Sequence, residues 1–123
     1  MYKTIEENKD LLKFNAEGVH PADMFLNARK IAIKAVDDFV AKHGEPMYCG
    51  FASVNIHGIK GNTKLGRAMK QAGIRKDYSG AFNIWNPSEW GGQSMDVKEA
   101  GAQAAADVFR NYGFNAYMTS RAD

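Results

Sequence analysis

Residues 47–73, MYCGFASVNIHGIKGNTKLGRAMKQAG, change periodicity once, and that change decides the fold class. Up to Ile56 the segment carries no charge and is rich in strand formers, with Ala52, Val54 and Ile56 alternating with Phe51, Ser53 and Asn55, which predicts a β-strand over residues 47–56. Gly58 to Gly61 marks a turn. Asn62 can then cap a helix whose apolar positions Leu65, Ala68, Met69 and Ala72 recur every three or four residues until Gly73 ends it. A strand, a turn and a helix in close succession predict a mixed chain of strands and helices.

The same signals extend in both directions. Upstream, Thr4 with Glu7 reads as a capping box opening a short helix to about Phe14, and residues 15–20 as a loop. Pro21 suits a first helical turn, and Phe25, Ala28, Ala32, Ala35, Val36 and Phe39 form one apolar stripe before Gly44 and Pro46. Downstream, residues 79–86 read as a second strand and 87–92 as a loop. Ser94 caps a further helix with the stripe Val97, Ala100, Ala104, Val108 and Tyr112, and Gly101 and Ala105 allow close packing. Phe114 to Ser120 reads as a third strand. The order α-α-β-α-β-α-β predicts an α/β fold, with α+β as the alternative: a two-layer sandwich of a small three-stranded sheet with its helices mainly on one face. Helices between strands suggest at least partly parallel pairing. With 123 residues this is one domain, 1–123, in which residues 1–20 can form a peripheral helical arm.

Composition bounds the function. Hydrophobic content is 45% and charged content 24%, so the chain can build an ordinary core. No apolar run is long enough for a membrane span, and the acidic, polar start does not read as a signal peptide. Cys49 is the one cysteine, which excludes an intrachain disulfide and fits a reducing, cytoplasmic setting. Residues 46–76 hold Lys60, Lys64, Arg67, Lys70, Arg75 and Lys76 and no acid, a local basic block that either attracts polyanions or is neutralised by the acids of the flanking segments.

Alternation sorts each strand into two faces. Ala52, Val54 and Ile56, then Phe82 and Ile84, then Phe114, Ala116 and Met118 form an aliphatic set that should pack on the helices. The opposite set combines Phe51, Trp85 and Tyr117 with Asn55, Asn83, Thr119 and Arg121. Such a face admits three readings. It binds single-stranded nucleic acid, the aromatics stacking on bases and Lys60, Lys64, Arg67 and Arg121 meeting phosphates. It anchors a protein partner or a second copy of the chain. Or residues 1–20 cover it.

Catalytic and metal chemistry find little support. His20, His43 and His57 are isolated, Cys49 has no cysteine partner, and no spacing resembles a zinc site. No nucleophile, acid and base assemble from the sequence, so neither an enzyme nor a cofactor is expected. Gly58 to Lys64 brings glycines, a lysine and a helix start together, which reads as a connecting turn or as a phosphate contact. It lacks the spacing of a P-loop or a dinucleotide fingerprint, and a strand precedes it, unlike the two-helix loop of KH domains.

Several short patterns carry a resemblance: Tyr48-Cys-Gly-Phe-Ala52, Asn62 with Leu65, Gly73, Tyr78 to Gly80 with Ile84-Trp85, Gln93-Ser-Met95, Glu99-Ala-Gly101 and Ser120-Arg-Ala-Asp123. Over residues 48–123 the chain resembles small uncharacterised proteins of bacteriophages and other mobile elements. The resemblance implies an origin, a phage-type gene acting in the cytoplasm of a bacterial host, and attaches no activity. The expectations are therefore a single-stranded nucleic-acid binder, a factor that inhibits a host or defence protein, or a homodimer through the same face.

Overall fold

The computed structural model describes residues 19–122. The capping box at Thr4 and the helix expected up to Phe14 lie outside this range. The described chain runs α1 (Pro21–His43), β1 (Gly50–His57), α2 (Lys64–Gln71), β2 (Arg75–Lys76), β3 (Phe82–Trp85), α3 (Met95–Asn111) and β4 (Asn115–Ala122).

The helix limits follow local chemistry. Pro21 occupies the first turn of α1, the His20 ring accepts from the Ala22 N–H, and Gly44 closes the helix at φ 71°, a conformation costly for other residues. Thr63, one residue past the expected Asn62, caps α2 by accepting from the Gly66 N–H at 3.0 Å. Ser94 stands at the expected cap position of α3 but makes no capping bond; the Met95 N–H is taken instead by the Tyr48 carbonyl.

The sheet has four strands in the order β2-β3-β1-β4, every neighbouring pair antiparallel. This corrects the expectation of three strands and of parallel neighbours. Connections β1-α2-β2 and β3-α3-β4 do join strands of like direction, as helical crossovers must. Each such pair, however, has one strand of the other unit inserted between its members. From β1 onward the plan is a split βαβ, β-α-β-β-α-β, with α1 added in front. The missed strand β2 is two exposed basic residues, Arg75 opposite Asn83 and Lys76 opposite Phe82. Nothing in its composition marks a strand; the buried Ile74 before it and the Asp77–Ala81 turn after it hold it in register.

All three described helices pack on one face. The core joins Met24, Ala28 and Ala32 of α1, Leu65 and Met69 of α2, and Ala102, Ala105, Ala106 and Phe109 of α3 to Ala52, Val54, Ile56, Phe82, Ile84 and Ala116 of the sheet. Close approach of α1 and α3 depends on Gly101, where an added Cβ would lie 2.9 Å from Val36 Cγ2. The α3 stripe is wider than expected: Val97, Val108 and Tyr112 are buried as expected, Gly101, Ala102, Ala105, Ala106 and Phe109 join them, and Ala100 and Ala104 are half-buried.

Candidate nucleic-acid interface

The face turned away from the helices carries Arg75 from β2, Asn83 and Trp85 from β3, Phe51, Ser53, Asn55 and His57 from β1, and Asn115, Tyr117, Thr119 and Arg121 from β4. Register fixes this set: Ser53 lies opposite both Trp85 and Thr119, Asn55 opposite both Asn83 and Tyr117, and Phe51 opposite Arg121. No described helix covers it, and Trp85 is 57% and Tyr117 50% exposed. The alternative that residues 1–20 cover this face rests on residues 1–18, outside the described range.

An aromatic platform occupies one end of it, at the start of β1 and the end of β3. Phe51 and Trp85 lie diagonally across β1 and β3, their rings 5.2 Å apart and tilted by 34°. Lys98 of α3 supports it: the side chain is only 9% exposed, its Nζ donates to the Gly50 carbonyl at 3.0 Å, and the ammonium stands 4.8 Å from the Phe51 ring centre. Lys98 pairs with no acid among the described residues. On the β4 side, the Arg110 guanidinium lies 5.4 Å from the Tyr117 ring.

A polar ladder crosses the three longer strands. Asn83 Nδ2 donates to Asn55 Oδ1 at 2.7 Å and to Ser53 Oγ at 3.1 Å, and the Ser53 and Thr119 hydroxyls share a bond of 2.9 Å. These bonds rigidify the surface on which the aromatics stand. The groove above it has a volume of about 430 Å³ and is closed at one side by Asp77 and the fully exposed Tyr78. The hydrogen bond from the Ser79 hydroxyl, helped by those from the Ser79 and Ala81 N–H groups and by the nearby His57, holds the Asp77 carboxyl below its usual range against the opposing effect of desolvation. Arg121 lines the groove, Arg75 lies on the same face opposite Asn83, and neither forms an ion pair with a described residue.

The sequence-derived residues separate into two groups. Phe51, Asn55, Asn83, Trp85, Tyr117 and Arg121 come together on this face. Lys60, Lys64 and Arg67 do not join them. Lys60 is in the loop before α2, and Lys64 and Arg67 are exposed on α2, which packs on the opposite side of the sheet; Arg67 Nη1 donates to the Asn62 carbonyl at 2.7 Å. The basic block reaches the face through Arg75 instead. That role was hidden because Arg75 acts through a two-residue strand. Lys98, Asp77 and Tyr78 were also missed, and only Lys98 left a trace, a lysine next to Val97 within an otherwise small and apolar helix stripe.

Among the described residues no group of three or more His, Cys, Asp or Glu side chains could hold a metal ion, and no helix is long and apolar enough to cross a membrane. Comparison with known protein families, curated proteins and solved structures finds no match to the chain.

Proposed function

We propose that this domain is a non-catalytic module that binds single-stranded nucleic acid, with weak sequence preference, along the open face of its sheet. One observation carries the reading: the Phe51–Trp85 platform, with Tyr117 on the far strand β4, stands on an open face that also carries Arg75 and Arg121, neither paired with an acid among the described residues. Every base has a π-face, so aromatic platforms hold single strands without reading sequence, and flanking Arg side chains meet the phosphates. RNA-recognition motifs stack bases on a four-stranded sheet in the same manner. That parallel is one of device and carries no identity. The phage-like sequence pattern favours action in a bacterial cytoplasm as part of the same proposal.

The test is fluorescence anisotropy with labelled single strands at low and at moderate salt. Binding that weakens as salt rises supports the reading. No binding at low salt, or binding insensitive to salt, refutes it.

A second reading, a protein partner or a second copy of the chain, is favoured by a different observation. Strand β4 is eight residues long and pairs on only one side among the described residues, which leaves an edge open to strand addition. Co-purification of one protein that survives nuclease treatment, or a dimer mass by light scattering, supports it.

A further inference from the structure

Strand β2 is so short that the outer side of β3 is unpaired beyond Asn83. There, α1, the end of β3 and the loop from β3 to α3 line an open cavity of about 530 Å³. That volume falls in the range of small-molecule sites, about 300–1,000 Å³. Three aromatic residues line it, Phe25, Trp85 and Trp90. The Trp90 ring lies directly on Gly92, where any Cβ would collide with it. That wall of the cavity therefore depends on a residue without a side chain.

The polar groups of the cavity are arranged unusually. The Arg29 guanidinium pairs with Glu89, and Asn86 Nδ2 donates to the Trp90 carbonyl at 3.0 Å, so both side chains brace the loop. Each nevertheless keeps one buried atom without a partner among the described residues: the donor Arg29 Nε and the acceptor Asn86 Oδ1. Buried polar atoms are almost always satisfied, because an orphan forfeits its hydration without return. The same loop holds two non-glycine residues in the left-handed region, Asn86 at φ 44° and Glu89 at φ 57°. Strain of that kind gathers at ligand sites. One donor, one acceptor and aromatic walls match the edge and the faces of a planar nitrogen heterocycle.

We infer that this cavity receives one nucleobase of the strand bound on the sheet face. Its ring nitrogen or carbonyl accepts from Arg29 Nε, and its amino or imino group donates to Asn86 Oδ1. The inference rests on the sheet-face reading, because Trp85 lines both the groove and the cavity and so joins the two paths. Both orphan atoms are buried, so contact requires an outward shift of residues 86–91.

Two measurements on the full chain test this. First, adenosine, cytidine, guanosine and uridine monophosphates are added separately to isotope-labelled protein, and the Asn86 side-chain amide and Trp90 indole N–H resonances are followed by NMR. At least one nucleotide should move both. Second, binding of a single strand of about eight nucleotides is compared for the wild type, Trp85→Ala, Trp90→Ala and Arg29→Lys. Loss of one stacked base should weaken binding by Trp90→Ala about five- to 150-fold. Arg29→Lys keeps the charge beside Glu89 but removes Nε–H, and should weaken binding by at least about fivefold. Trp90→Phe, which keeps an aromatic wall, should retain most of the affinity. Unmoved Asn86 and Trp90 resonances, or wild-type binding by both Trp90→Ala and Arg29→Lys, overturn the inference. If Trp85→Ala alone loses the strand, the sheet-face reading stands and the cavity does not take a base. If nucleotides move Asn86 but no strand binds, the sheet-face reading falls, and the inference falls with it as a statement about a bound strand.

Discussion

Replacing Trp85 with alanine removes half of the aromatic platform while leaving the core intact. Trp85 is 57% exposed, its neighbour Ile84 points into the core, and its ring makes no hydrogen bond to a described residue. The intramolecular loss is mainly the contact with the Phe51 ring at 5.2 Å, worth about 0.5–1.5 kcal/mol. A domain stabilised by about 5–15 kcal/mol survives that. The loss to a bound strand is larger, about 1–3 kcal/mol for each base that no longer stacks. At 1.4 kcal/mol per tenfold change, the dissociation constant rises about five- to 150-fold. The assay is anisotropy of a labelled single strand at low salt, paired with urea denaturation of the same sample. The expected result is a large rise in the dissociation constant with a modest drop in the urea midpoint. Trp85→Phe should recover most of the affinity, since a smaller ring still stacks. A Trp85→Ala protein that is folded and binds within twofold of wild type would refute the stacking argument, because the most exposed ring of the Phe51–Trp85 pair would then contribute nothing.

Three further expectations follow from other parts of the molecule. With the two guanidinium groups of Arg75 and Arg121 on the face, the logarithm of the binding constant should fall with the logarithm of salt at a slope near −1.4, about sevenfold between 50 and 200 mM. Arg75→Gln or Arg121→Gln should each reduce that slope by about 0.7, whereas Lys64→Gln and Arg67→Gln, off the face, should change it much less. Gly101→Val forces side-chain atoms into Val36, whose Cγ2 would lie 2.9 Å from even the first added carbon; overpacking should cost about 1–3 kcal/mol in urea denaturation, and Val36→Ala in the same chain should recover part of it, additive losses being the result that removes the explanation. The Asp77 carboxyl is held low by Ser79 and the turn N–H groups, so its stabilising effect is complete above the unfolded value of about 3.9 and fades as pH falls through its lower folded value; NMR titration should show the Ser79 and Ala81 amides moving together below that pH, and an ordinary or raised midpoint would remove the hydrogen-bond account.

Strand faces were legible because alternation is a local property: Phe51, Asn55, Asn83, Trp85, Tyr117 and Arg121 share a face whatever the strand order. Strand order was not legible, because two interleaved crossovers produce the same succession of elements as two adjacent ones. The α3 register was ambiguous for a different reason. Ala100, Ala102, Ala104, Ala105 and Ala106 place small residues around much of the helix, so periodicity alone does not choose a stripe; contact with α1 at Gly101 chooses it. Strand β2 escaped detection because Arg75 and Lys76 have no apolar alternation, and pairing with β3 alone gives them their conformation. The cost of that omission was functional. It concealed Arg75 as a member of the face and directed attention to Lys60, Lys64 and Arg67.

The hydrogen bonds on the face also bear on how much sequence it could read. Both N–H groups of Asn83 are engaged by Asn55 and Ser53, and Ser53 and Thr119 are bonded to each other. Groups satisfied within the sheet gain little by turning to a base, since a new bond replaces an existing one. The ladder therefore favours rigidity over readout, and the aromatic rings beside it accept any base. A platform built in this way predicts binding that depends on strandedness and salt more than on sequence. Discrimination, where it occurs, requires donors and acceptors that the fold leaves unsatisfied. Two such atoms, Arg29 Nε and Asn86 Oδ1, lie around the β3 edge beside Trp85. Base preference should accordingly be confined to one position of a bound strand, the one nearest Trp90, and substituting bases one at a time along a fixed-length strand measures it. Preference spread evenly over several positions would mean that the ladder opens on binding, contrary to the rigidity argued from its bonds.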